Sequence, residues 1–191
     1  MTGTIFVGQQ ELAEAHRRAG QIIDACAHLE EAVSYLEWQL TAYAWDKNNS
    51  QATQADRQTA LRVARDTWDK YMQLEARLTR VTKAFDNADV SCRIQQHARL
   101  QQLRRSWETL RERIRALGRK RNDVVHTTVS WSNGKVIRQV GRPWKQAIVV
   151  SASTDQALWS DLGNMAIEVG RYTTELGRLM PFADEDQVIL D

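Results

Sequence analysis

Apolar residues recur at steps of three and four along most of the chain, which is the spacing of one face of an α-helix. The segments with this spacing are residues 9 to 45, 55 to 85, 90 to 117 and 153 to 179. Short polar links join the first three, and helices joined in that way pack antiparallel. The pattern predicts a mainly α fold, an antiparallel bundle of four to five helices.

The pattern changes before the last helical segment, where alternating and β-branched residues occur. Two such runs, TTVSW and KVIRQV, flank Ser132-Asn133-Gly134. Asn-Gly is the strongest short-range hairpin signal, because both residues tolerate a positive φ angle. The run AIVV at 147 to 150 is a candidate third strand. We expect a small β-hairpin or a three-stranded meander over residues 127 to 150, inserted before the last helix.

Length and composition favour one domain. The chain has 191 residues, of which 42% are hydrophobic, and only nine glycines and two prolines. We predict a single helical domain over residues 1 to 182 and an acidic C-terminal tail over residues 183 to 191. Ser153 and Gln156 have the spacing of a capping box, which would begin the last helix.

The sequence predicts a cytoplasmic protein that neither crosses nor binds a membrane. Its first residues lack the basic and apolar regions of a secretory signal, and no window approaches the run of about 18 apolar residues that a membrane span needs. Cys26 and Cys92 are not in a CxxC arrangement and fall at apolar positions of predicted helices. We interpret both as buried thiols in a reducing compartment.

Common enzyme motifs are missing from the sequence. It has no GxxxxGK[ST] phosphate loop, no GxSxG nucleophile turn and no HExxH metal motif, so we expect neither a metal nor a cofactor. Three of the four histidines, His16, His28 and His97, have no plausible catalytic partner nearby in the sequence and are interpreted as surface or core residues.

Five of the seven tryptophans fall into two groups. Trp68, Trp107 and Trp159 lie on apolar stripes and are expected in the core. Trp131 and Trp144 lie in the predicted hairpin region, where they either stack on nucleic-acid bases or pack against the helices.

Basic residues are concentrated in the third helical segment. Ten basic and two acidic residues lie between positions 93 and 121, a surplus of eight, although the whole chain has a formal net charge of +2. Such a face can neutralise phosphates, which favours a nucleic-acid partner. The alternative is a solvated face whose arginines pair with acids of neighbouring helices, such as Asp66, Asp69 and Glu75. An interfacial membrane helix is a third interpretation, which the packed bundle disfavours.

A short motif at the end of this basic segment carries the candidate chemistry. Arg121-Asn122-Asp123-Val124-Val125-His126 has the form arginine, asparagine, three residues, histidine. In a helical bundle this motif resembles the HEPN family (higher eukaryotes and prokaryotes nucleotide-binding domain), many of whose members are metal-independent ribonucleases of defence and toxin systems. The likeness covers the six-residue motif and the general architecture.

The resemblance implies roles for individual residues. Arg121 and His126 match the catalytic positions of the family, and Asn122 matches the polar residue often found after the arginine. It also implies a homodimer that brings two motifs into one cleft, an RNA substrate, and an antitoxin or other regulatory protein partner. Within the same hypothesis, the RNA backbone would be guided by basic side chains, namely Arg104, Arg111, Arg115, Arg119 and Lys120.

Physical chemistry is consistent with these roles. A histidine with a pKa of about 6.5 can accept the proton of a ribose 2′-hydroxyl and return one to the leaving 5′-oxygen. Arginine stays charged and offers a fixed fork of donors to the phosphate. On an ideal helix, positions 121 and 126 are separated by a rotation of about 500°, so the two side chains diverge. The pair therefore needs a helix break near the motif or a second copy of the chain.

Two alternatives stay open at this stage. The same fold can serve as a non-catalytic module that binds RNA, a nucleotide or a protein partner, in which case Arg121 and His126 have structural roles at a helix end. A purely helical adaptor is the other. The position two residues after the histidine, where antitoxin-regulated members of the family commonly have a tyrosine, is Thr128 here, which leaves that route of regulation in doubt.

Overall fold

The computed structural model describes residues 2 to 68, 73 to 140 and 146 to 181. The side chains of residues 2 to 7, 61, 64 to 68, 140 and 146 lie outside this description. Within the described residues the fold is mainly α, with a small antiparallel sheet before the last helix, as predicted. In chain order the elements are α1 Thr2–Asn48, α2 Gln54–Trp68, α3 Leu74–Phe85, α4 Ala88–Gln95, α5 Ala98–Val125, β1 Thr128–Ser132, β2 Lys135–Val140, β3 Gln146–Val149 and α6 Ala152–Leu179.

Two of the predicted helices are each divided in the structure. The segment 55 to 85 forms α2 and α3, with Gln73 extended just before α3 at φ −100° and ψ 124°. The next segment is divided after Gln96 into α4 and α5. No glycine or proline occurs between residues 51 and 117, so the sequence carries no strong signal for either division.

The chain divides into two compact units, and α1, α5 and α6 contribute residues to both. The first unit comprises Met1–Leu29 and Ile114–Ala166, and the second comprises Glu30–Arg113 and the described residues from Ile167 onward. In the second unit α5 runs antiparallel to α6, because its early residue Arg99 pairs with Glu175 and its later residue Arg113 pairs with Glu168.

An aromatic cluster forms the centre of the second unit. The ring of Trp107 lies 5.9 Å from that of Phe85 and 6.3 Å from that of Tyr172, and Trp107 is fully buried. The Tyr172 hydroxyl donates a hydrogen bond of 2.6 Å to the carbonyl of Leu103. Burial is the main reason why the pKa of Tyr172 is raised above its usual value. The predicted core role of Trp107 is confirmed.

The sheet in the first unit has the predicted hairpin. Asn133 and Gly134 have φ angles of 51° and 72°, the combination that a type I′ turn requires. The register pairs Ser132 with Lys135 across this turn, and β3 pairs with the other edge of β2. The following helix is capped by Ser151, whose Oγ accepts a hydrogen bond of 3.4 Å from the Thr154 amide. The predicted cap at Ser153 was therefore two residues too late.

Two burial predictions were wrong. Cys92 is exposed, because the buried residues of α4 are Val90 and Ile94, two positions to either side of it. Trp159 is 41% exposed, because it lies next to the buried position 158 and not on the buried stripe of α6. Cys26 is buried as expected.

The two tryptophans predicted in the hairpin region and the predicted tail differ in how far the structure describes them. Trp131 is half-buried, and its indole lies against Gly8, where a Cβ atom would be only 3.0 Å from the ring. Trp144 and the acidic tail from 183 to 191 lie outside the described residues, as does the side chain of Trp68.

Candidate functional site

The RNxxxH motif lies at the C-terminal end of α5. The helix continues through Gly118 to Val125, and the His126 amide still donates a helical hydrogen bond of 3.1 Å to the Asn122 carbonyl. The Thr127 hydroxyl then donates to the carbonyls of residues 123 and 124, at 3.0 and 3.1 Å. These bonds satisfy carbonyls that the end of a helix leaves without partners. His126 therefore lies directly after the last helical turn.

Arg121 and Asn122 contact each other. Arg121 Nη1 donates a hydrogen bond of 3.1 Å to Asn122 Oδ1. Arg121 is half-buried, and its Nε is buried with no hydrogen-bond partner in the described part of the chain. Asn122 and His126 are both exposed. The side chains of Asn122 and His126 are therefore accessible from solvent.

The helix does not bring Arg121 and His126 together within one copy of the chain. Because α5 is unbroken from Ala98 to Val125, the two positions keep the divergence of about 140° that an ideal helix gives them. Asn122 and His126, four residues apart, share a face instead. Asn122 thus contacts Arg121 through a hydrogen bond and shares a helix face with His126.

Acidic side chains neutralise much of the basic helix before the motif. Arg113 makes two hydrogen bonds to Glu168, at 2.6 and 2.8 Å, and these bonds raise the pKa of Arg113 above its usual value. Other such pairs are Arg99 with Glu175, Arg104 with Asp86 and Glu108, and Arg111 with Glu108. Of the acids named from the sequence, Asp69 and the side chain of Asp66 lie outside the described residues.

The end of α5 keeps its positive charge. Arg119 and Lys120 are exposed, and within the described residues neither makes an ion pair. In the sequence from residue 113 to residue 127, which includes Arg121, Asp123 is the one acidic residue. Of the five residues predicted to guide RNA, Arg104 and Arg111 are thus already paired, Arg115 is half-buried, and Arg119 and Lys120 are available to an anion.

Sequence reasoning missed a second charged group in the same unit. Arg18, Arg138 and Asp155 form a cluster in which Arg138 and Asp155 are buried and Arg18 is half-buried. A signal for it was present, because Arg138 is two residues from the buried Val136 on β2, and alternate residues of a strand face the same side.

The structure and comparisons with known proteins add three findings. No helix in the described chain is long and apolar enough to cross a membrane. The described residues contain no group of three or more histidine, cysteine or acidic side chains placed to hold a metal ion. No protein-family model, curated protein or solved structure matches the chain.

Proposed function

We propose that this protein is a metal-independent endoribonuclease of the HEPN type, with its site at the C-terminal end of α5. The observation that carries the proposal is an exposed histidine, His126, that follows a helix end where Arg119 and Lys120 have no ion-pair partner in the described residues. Elsewhere on the same helix Arg99, Arg104, Arg111 and Arg113 are paired with acids, and Arg105 is exposed without an ion pair in the described residues. A phosphate backbone would find unneutralised cations beside a group that can transfer protons.

The proposed reaction needs no group beyond the chain and the RNA. Neutral His126 accepts the proton of a ribose 2′-hydroxyl while the 2′-oxygen attacks the adjacent phosphorus. The 5′-oxygen leaves and takes a proton from a protonated histidine, giving a 2′,3′-cyclic phosphate and a 5′-hydroxyl end. The guanidinium of Arg121 donates to the phosphate oxygens as negative charge develops on them. Asn122 positions Arg121 through the hydrogen bond between their side chains.

A homodimer follows from this chemistry. Two proton-transferring groups are needed, and an unbroken α5 separates Arg121 from His126 within one copy. Two copies with their motifs facing each other would supply two histidines and let the arginine of one serve the histidine of the other. Arg119 and Lys120 would guide the RNA backbone, with Arg115 next to them along the helix. The proposed setting is a cytoplasmic toxin or defence system with a regulatory protein partner.

The decisive experiment is cleavage of a mixed single-stranded RNA in EDTA. We compare the wild type with His126→Ala and Arg121→Ala, after circular dichroism has shown that all are folded. His16→Ala and Arg17→Ala are matched controls, because both residues are exposed on α1. The proposal requires cleavage with cyclic phosphate ends by the wild type and both controls, and none by the two motif variants. Cleavage that survives His126→Ala would overturn it.

One observation favours a second candidate function, a non-catalytic module that binds RNA, a nucleotide or a protein partner. The continuous helix keeps Arg121 and His126 apart in a single copy, and a binding surface does not need them to converge. In that case the wild type binds the same RNA without cutting it, and His126→Ala binds as tightly as the wild type.

A further inference from the structure

A cleft between α1 and α3 lies entirely within the second unit. Its volume is about 270 Å³, near the lower end of the range for small-molecule sites. Its lining includes Glu37, Leu40 and Ala44 from α1, and Arg80, Lys83 and Ala84 from α3. In each helix they follow the spacing of one face, so two facing stripes form the walls.

Part of the lining is apolar, because the side chains there are small or buried, although Thr41 and Asn87 also line the cleft. Leu40 and Ala44 are 1% and 8% exposed, and Ala84 is half-buried. Alanines on both helices leave space that larger side chains would fill. The helices are also held side by side, because Arg77 donates to the Ser34 hydroxyl one turn before the cleft begins. The cleft is therefore a consequence of the sequence at positions 44 and 84.

A buried carboxylate lies at one end of the cleft. Glu37 is only 6% exposed, and its Oε1 accepts a hydrogen bond of 2.6 Å from Arg80 Nε. Its other oxygen, Oε2, accepts no hydrogen bond from the described residues and is not fully enclosed. Burial raises the pKa of Glu37, and Arg80 opposes that rise. A buried charged group in a cleft is costly to maintain, which is typical of binding sites.

The other polar group needed for recognition is Lys83. It is exposed, lines the cleft and has no ion-pair partner among the described side chains. Since Arg80 is engaged by Glu37, Lys83 supplies the charge that attracts an anion. The cleft thus offers an acceptor at Glu37, apolar surface at Leu40, Ala44 and Ala84, and a cation at Lys83.

We propose that this cleft binds a small organic acid whose flat body carries an amino group. The amino group donates to Glu37 Oε2, the flat body lies against Leu40, Ala44 and Ala84, and the acidic group contacts Lys83. A nucleotide with an amino-bearing base and an aminoaryl acid share this chemistry. The site is separate from the α5 motif, and its occupation does not depend on the proposed ribonuclease activity.

Titration calorimetry and NMR on the full chain test the proposal with two matched pairs of probes. The nucleotide pair is cytidine 5′-monophosphate and its analogue in which hydrogen replaces the 4-amino group, and the acid pair is 4-aminobenzoate and benzoate. We expect the amino-bearing member of one pair to bind with a stoichiometry of one and its partner to bind several-fold more weakly. The pair that shows this preference identifies the source of the ligand.

Three variants place the binding in the cleft. Lys83→Ala should weaken binding about three- to fivefold, the size expected for an exposed charge pair, whereas Lys135→Ala, an exposed lysine of the hairpin, should leave it unchanged. Glu37→Gln should remove the preference for the amino group. Ala84→Leu should abolish binding by filling the cleft while keeping a good helix former on α3, so it stays informative if Glu37→Gln does not fold.

Two results would overturn the proposal. One is that none of the four probes binds at 10 mM, on the order of the weakest affinities that NMR detects for small ligands. The other is that both members of each pair bind equally, or that Lys135→Ala weakens binding as much as Lys83→Ala, since either would show non-specific attraction to positive charge.

Discussion

Arg138 on β2 and Asp155 in the first turn of α6 form a buried two-point ion pair. Arg138 Nη1 lies 3.2 Å from Asp155 Oδ1 and Nη2 lies 3.4 Å from Oδ2, with both side chains at most 5% exposed. Arg18 Nε on α1 also reaches Oδ2, at 3.3 Å. One carboxylate thereby links the sheet and two helices in the unit that holds the RNxxxH motif.

Asp155→Ala should lower the free energy of unfolding by about 3 to 5 kcal/mol, because it leaves a buried guanidinium without its counter-charge. Urea unfolding followed by circular dichroism measures this, with Asp161→Ala, an exposed acid of the same helix, as the control. The double variant Arg138→Met, Asp155→Leu should recover part of the loss, because it leaves fewer buried charges. Equal effects of Asp155→Ala and Asp161→Ala would show that the pair does not stabilise the fold.

Glycine-to-alanine substitution should have opposite effects at two positions. Gly134 has a φ angle of 72°, so Gly134→Ala should destabilise the protein by about 1 kcal/mol. Gly163 lies within α6, and a Cβ there would meet nothing within 4 Å, so Gly163→Ala should stabilise by about 0.5 to 1 kcal/mol. Thermal unfolding of both variants provides the measurement. A stabilising Gly134→Ala would contradict the turn geometry.

Glu37 should make stability depend on pH. Burial raises its pKa in the folded chain, so the ionised carboxylate is disfavoured by folding. The contribution of Glu37 to the free energy of unfolding is fully present below the ordinary glutamate pKa of 4.5. It is lost as the pH rises through the higher pKa that Glu37 has in the folded chain. The free energy of unfolding of the wild type, relative to that of Glu37→Gln, should therefore fall between pH 4 and neutrality. Urea unfolding at pH values about one unit apart measures this difference. A difference that is constant with pH would contradict this.

Salt dependence of RNA binding should distinguish paired from unpaired cations. If the end of α5 contacts RNA, Lys120→Gln should reduce the slope of log affinity against log salt by about one contact. Arg113→Gln should change it little, because Glu168 already neutralises Arg113. Fluorescence anisotropy over a range of salt concentrations measures both slopes. If the two variants reduced the slope equally, RNA would contact the basic helix along its length and not only at its end.

Mixing two inactive variants tests the proposed dimer. In a mixed dimer of Arg121→Ala and His126→Ala, one copy supplies an intact histidine and the other an intact arginine. If the arginine of one copy serves the histidine of the other, mixing should restore cleavage, but to less than one wild-type site per mixed dimer, because one arginine and one histidine are intact while the second proton-transferring histidine is missing and catalytic residues act as a unit. Failure to restore any activity would contradict the exchange of the arginine between copies.

The sequence predicted the features that depend on local pattern. The helical periodicity located the long helices, and Asn133-Gly134 located the hairpin turn, because positive φ angles restrict the residues allowed there. It did not predict the extended Gln73 before α3, which no breaker residue marks. It also wrongly placed Trp159 in the core, because the buried residue at this point of α6 is its neighbour Leu158.

The site was predictable only in part. The motif residues and the positive charge of α5 are visible in the sequence, but the partners of the arginines are not. Glu168 and Glu175 lie more than 50 residues from Arg113 and Arg99 along the chain, and only tertiary packing brings them together. The accessible Oε2 of Glu37 likewise depends on which oxygen Arg80 occupies.

The acids along α5 also affect how a polyanion would approach. Long-range attraction follows the local potential, which falls off within about 10 Å at moderate salt. Paired arginines contribute little to that potential, whereas Arg119 and Lys120 contribute fully. If the protein binds RNA as proposed, the polyanion would be oriented towards this end of the helix at the encounter stage, and the ion pairs of α5 would then affect association rates as well as stability.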